Sequence, residues 1–112
     1  MFEVRTLTVA SGDTLSDALN LQNARAAMLF VPTLTPSCDT FLRASTDATS
    51  ATSKRVQNIS YPASGDFRIP TGIGSSCIAL REDIVAAVPV MRLELGAATT
   101  APTFFLLAVK FT

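Results

Sequence analysis

The chain has 112 residues, with nine basic and nine acidic side chains and a formal net charge of zero. Only 16% of the residues are charged and 48% are apolar, where about a quarter charged is usual; Ser and Thr fill much of the difference and suit strand faces and loops better than solvated helices. There is no basic run to release counterions from nucleic acid, no basic amphipathic helix for a membrane surface, and no apolar segment near the ~20 residues that cross a bilayer.

This length suits one domain, residues 1–112, with a real core and no need of metals or disulfide staples. A surface with so little charge favours association with partners. The opening MFEVRTLTV lacks the charged and apolar regions of a secretory signal, so synthesis in a cytosol is expected. Two cysteines, Cys38 and Cys77, are too few for a disulfide framework and are read as reduced, partly buried thiols.

Taken in order, Phe2 to Val9 reads as a strand with Phe2 and Val4 on one face and Leu7 and Val9 on the other. That switch of apolar parity suggests a bulge or an edge change. Ser11-Gly12-Asp13 is a turn. DTLSDALNL fits either a short helix or a strand that lines up Leu15, Leu19 and Leu21. The strand is preferred, because two turns of isolated helix are marginal in a β context. After a polar connection at 22–25, the run Ala27 to Val31 fits a strand buried on both sides and closed by Pro32.

Thr40 to Ser45 is the next strand, with Phe41 and Arg43 on one face and Leu42 and Ala44 on the other. TDATSATS has no apolar anchor and reads as an exposed loop or hairpin tip. Lys54 to Tyr61 alternates again, PASGD is a turn, and Phe67 and Ile69 make a short strand before Pro70. TGIGSS leads into Cys77 to Leu80. REDIVAAVP reads as one turn of α- or 3₁₀-helix, with Glu82 and Asp83 near its positive N-terminal end. Val90 to Leu95 places Met91, Leu93 and Leu95 inward and Arg92 and Glu94 outward, and Phe104 to Phe111 closes the chain. About eight short strands, turn signals every ten residues or so and at most one short helical turn predict an all-β, antiparallel two-sheet sandwich of jelly-roll type.

The catalytic inventory is nearly empty. With no histidine, Ser-His-Asp and Cys-His pairs drop out, as do most transition-metal sites. Lys54 and Lys110 sit in no serine-lysine motif. Gly72-Ile73-Gly74 lacks the third glycine and helix of a dinucleotide loop and the Lys-Ser/Thr of a P-loop. Asp13, Asp17, Asp39 and Asp47 match no calcium-loop spacing. No enzyme activity, cofactor or metal is therefore expected. A glycan-binding module is a rival from another class, but sugar platforms need exposed aromatic rings, and the chain has no Trp and one Tyr.

The closing strand is the most informative stretch. Phe105, Leu107, Val109 and Phe111 face one way, yet Phe104, Leu106 and Ala108 on the other parity are also apolar. Either the strand is covered on both faces or its second face meets another chain. Phe104 and Leu106 are thus the first candidates for an interface, with Phe2, Val4 and Arg5 of the N-terminal strand next.

TLTVASGDTLSDALNL, the later MLFVP and TFLRASTDA resemble small structural proteins of tailed bacteriophages, in which "T-x-T-[apolar]-A-x-G-x-x-[apolar]-S-D-A-[apolar]-x-L" opens the chain. CIALREDIVAAVPVMRLELG is similar to their "I-A-L", helical turn, strand and glycine segment. The likeness spans most of the chain and departs from it in the short mid-region and at Arg81-Glu82-Asp83. It implies a jelly-roll-like sandwich in the virion that decorates or cements a capsid, often as a homotrimer. The implied partners are the chain itself and a phage major capsid protein, with no nucleic acid and no membrane. The implied location is the capsid exterior after synthesis in the host cytoplasm. A neck, tail or baseplate role on the same fold is the runner-up.

Overall fold

The computed structural model describes residues 2–46, 53–56, 68, 69, 71 and 75–111. Nine strands and one helix follow in chain order: β1 (Phe2–Val9), β2 (Leu19–Asn20), β3 (Ala24–Val31), β4 (Thr40–Ser45), β5 (Lys54–Arg55), β6 (Arg68–Ile69), β7 (Ser76–Ala79), α1 (Glu82–Ala87), β8 (Val90–Leu95) and β9 (Thr103–Phe111). They form two antiparallel sheets, one of order β1-β9-β3-β7 and one of order β2-β8-β4-β5, with β6 also paired to β4. The pairing is nested: β1 with β9, β2 with β8, β3 with β7, and β4 with β5 and β6. A long hairpin rolled across two sheets gives this nesting, which is the jelly-roll arrangement expected from the strand pattern.

Alternation along each strand builds the core. Leu7 and Val9 of β1, Leu29 and Val31 of β3, and Phe105, Leu107 and Val109 of β9 point inward from the first sheet. Leu42 of β4 and Met91, Leu93 and Leu95 of β8 meet them from the second. Each such side chain, taken out of water, contributes roughly 1.5–3 kcal/mol. Val85, buried on α1, caps the core beside β3. The helix is the short one expected; Arg81 and Asp83 pair at its start, and Asp83 Oδ1 accepts from the Ile84 amide.

The 14–21 segment is extended, as preferred. Leu15 bridges Glu94, and Leu19 and Leu21 are buried. Its approach to β8 is pinned by Ser16, whose buried Oγ accepts from the Leu93 amide at 2.9 Å and donates to the Asp17 carbonyl at 2.9 Å. The turn at 11–13 uses Gly12 at φ 85°, a region open to glycine without steric cost. Cys38 is half-buried and Cys77 exposed, and both are free thiols.

Two expectations need correction. β1 pairs with β9 residue for residue from Phe2–Lys110 to Val9–Thr103, with no bulge at its parity switch. The irregularity lies instead in β3, between Ala24 and Ala26. Nor is Ala27 to Val31 buried on both sides: Met28 and Phe30 are exposed while Ala27, Leu29 and Val31 are buried. In both places apolar residues stand outward on a sheet face that nothing in the described chain covers. The expected strand over 57–61, the PASGD turn, Phe67, the glycine loop at 72–74 and most of the TDATSATS loop lie outside the described residues.

Candidate interaction face

The outward positions of the first sheet form rows that cross the strands. Val4 stands opposite Ala108, which stands opposite Met28, which stands opposite Ala79. The next row runs Thr6, Leu106, Phe30, Cys77, followed by Thr8 with Phe104; at the other end Phe2 and Ala26 flank Lys110. This is the arrangement that alternation requires once both parities of β9 are apolar.

Six large apolar side chains are exposed, from Met28 at 39% to Phe2 at 67%, with Val4, Phe30, Leu106 and Phe104 between, and all six lie on this face. Taking about 200 Å² for a whole phenylalanine, they leave roughly 500 Å² of apolar side chain in solvent. That is near the upper end for the largest patch on an ordinary monomer. Lys110 is the charged residue within the rows, at one end.

Four of the five residues singled out from the sequence, Phe104, Leu106, Phe2 and Val4, are therefore brought together on one surface. Arg5 is not. Odd positions of β1 turn toward the other sheet, and half-buried Arg5 pairs with Glu3 and lies over the Phe111 ring, 5.8 Å from its centre. Met28 and Phe30 belong to the face and were missed. Their signal was the same as that of β9, an apolar run on both parities, but it was read there as double burial.

The outer face of the second sheet is built differently. Arg43 Nη1 donates to Glu94 Oε1 at 2.8 Å, and Arg55 donates to Glu94 through Nε at 3.0 Å and Nη2 at 2.9 Å. Arg43 also donates to the Ser53 carbonyl, and the Arg55 guanidinium stacks over Phe41, 4.1 Å from the ring centre. Arg92 Nη1 donates to the Ser16 carbonyl at 2.7 Å. The Arg55 hydrogen bonds, against an opposing effect of burial and helped by Arg43, hold the Glu94 carboxyl down at about 2. Arg43, Arg55 and Glu94 are thus tied to one another within the sheet face.

Among the described residues, no three His, Cys, Asp or Glu side chains converge as metal ligands, and no helix is long and apolar enough to cross a membrane. Of two open depressions among the described residues, one between Ala44, Ser45, Thr46, Lys54 and Pro89 offers a single ionisable group, and one between Leu21, Asn23, Ala86 and Pro89 offers none. Chemically, the first sheet's outer face can do one thing well, which is to lose water against another apolar surface. Comparison with protein-family models, with curated proteins and with solved structures finds no match.

Proposed function

We propose that this chain is a non-enzymatic structural protein of a tailed-bacteriophage virion that docks on the outside of the head and bridges neighbouring capsid subunits. The observation that carries the reading is the exposed apolar face of the first sheet, with Leu106, Phe30, Met28 and Val4 in its middle rows and Phe104 and Phe2 toward its two ends. The likeness of the opening and closing segments to small phage structural proteins, and the jelly-roll pairing of the strands, support it.

The mechanism needs no chemistry. An apolar face of roughly 500 Å² against a shell protein matches the apolar share of a standard interface, about 800 Å² per partner of which somewhat more than half is non-polar. An oligomer, often a trimer in the resembled proteins, makes several such contacts at once, so modest single affinities sum to durable attachment through effective concentration. Because it binds only the assembled lattice, it shifts the balance toward that lattice by mass action.

The test is co-sedimentation of purified protein with intact phage heads, with copy number counted against the major shell protein. The expected result is saturable binding in fixed proportion to shell subunits, lost in Phe104→Asp. No binding to heads overturns the reading, and a handful of copies at one vertex or on the tail moves the protein to the neck, tail or baseplate.

A further inference from the structure

The free edge of the first sheet carries information that the outer face does not. β1 is eight residues long and, among the described residues, pairs with a strand on one side only, β9. At Thr8 the edge is closed by Asp17: Thr8 N–H donates to Asp17 Oδ1 at 2.9 Å, and the Asp17 amide donates to the Thr8 carbonyl at 3.2 Å. Those contacts show which way the backbone points. Even-numbered residues of β1 turn their N–H and C=O away from β9, so Phe2, Val4 and Thr6, all exposed, present an unpaired ladder edge among the described residues. The other described edge strands have two or four residues.

We infer that this edge pairs with the same edge of a second copy, antiparallel, about a twofold axis at Val4. The charge pattern selects both the partner and the register. Centring on Val4 sets Phe2 opposite Thr6 of the second copy and Glu3 opposite Arg5 of the second copy, twice over by symmetry. The even residues then form three hydrogen-bonded pairs exchanging about six backbone bonds, and the Glu3 and Arg5 positions fall on non-hydrogen-bonded pairs, where facing side chains are closest.

Sliding by two residues in one direction sets Glu3 against Glu3. Sliding in the other sets Arg5 against Arg5 and brings Phe2 to Thr8, whose edge Asp17 already occupies. Slips of one residue oppose outward backbone with inward backbone and make no ladder. Charged residues ordinarily guard an edge strand from pairing; opposite signs two residues apart instead make this edge complementary to itself. The axis stands perpendicular to the sheet, so the two apolar outer faces lie on the same side and join into one surface of twice the extent.

The experiment is sedimentation velocity and light scattering on the full chain, with circular dichroism as the folding control. The wild type is expected to be a dimer. Val4→Pro removes an N–H that no bond to β9 uses, so the subunit keeps its fold while the central pair of the dimer is lost, giving a folded monomer. Arg5→Glu is expected to raise the dimer dissociation constant about tenfold or more, since facing like charges replace facing unlike ones. The double variant Glu3→Arg with Arg5→Glu restores the dimer, and this charge-reversal pair decides the matter if Val4→Pro does not fold. A wild-type monomer, a trimer, or a dimer that ignores charge reversal overturns the inference. A monomer that still binds heads overturns it and leaves the proposed function standing.

Discussion

The two outer faces of this sandwich have the same strand geometry and opposite contents. On the second sheet, outward Arg43, Arg55 and Glu94 close a network among themselves, Arg92 reaches back to the Ser16 carbonyl, and Phe41 lies under a guanidinium. On the first sheet, outward Val4, Met28, Phe30, Phe104 and Leu106 touch water. A face whose groups satisfy one another within the chain gains little from a partner. One that holds apolar side chains in solvent gains roughly 25 cal/mol for each Å² it covers. The difference separates a side whose polar groups are paired within the chain from a side that leaves apolar groups in water.

The sharpest way to break the comparison is within β9 itself, where neighbouring residues serve opposite sides. Phe105 is fully buried, and Phe105→Ala removes a ring from between the sheets. The expected loss of unfolding free energy is about 3–5 kcal/mol, measured by urea denaturation. A loss below about 1 kcal/mol means that the core does not lie where the alternation places it.

The second sheet's network is next in size. Glu94 ionises near 2 in the folded chain against an ordinary 4.5. A depressed folded value means that the unfolded chain binds the proton first as pH falls. The stabilisation is complete above about 4.5 and is lost progressively between there and about 2. At about 1.4 kcal/mol per pH unit a shift of this size is about 3–4 kcal/mol, which solvent screening of a part-exposed carboxylate reduces to roughly 2–3 kcal/mol. Glu94→Gln is expected to lower stability at neutral pH by an amount of that order and to flatten the acid limb of the stability curve. An unchanged acid limb shows that the two arginines do not hold this carboxylate in solution.

The physical origin of each face decides how readable it was. The strands of the second sheet were readable because Met91, Leu93 and Leu95 alternate with Arg92 and Glu94, a period-two signal that burial enforces. The double apolar parity of β9 was equally plain. What it meant was not, because coverage by a neighbour and coverage by the same chain leave the same letters. That ambiguity produced the misreading of Met28 and Phe30 as buried, and of the two readings of the β1 parity switch, a bulge or an edge change, the register excludes the bulge. The real irregularity, between Ala24 and Ala26, had no signal, since alanine fits either face of a sheet. The Arg43–Glu94–Arg55 network depends on the registers of β4 with β8 and β5, which join residues 39 and 51 positions apart. Period alone marks those residues as outward and says nothing of which ones meet.

The smallest expected effect is the one that most sharpens the contrast. Phe104→Ser changes the residue next to Phe105, but at a position 55% exposed and opposite Thr8 on β1. With so much of the ring already in water, the isolated chain loses mainly a cross-strand contact with its neighbours. Such contacts contribute about 0.2–1 kcal/mol, so the urea midpoint is expected to move little while the proposed attachment to phage heads is expected to weaken strongly. Met28→Ser, on the same face, should behave alike. If either substitution instead destabilises the isolated chain as much as Phe105→Ala does, the outer face is covered within the subunit, and the division between the two sides fails. A small change in folding beside a large change in binding is the pattern that an apolar surface made for a neighbour requires, because its stabilisation is realised only when the neighbour arrives.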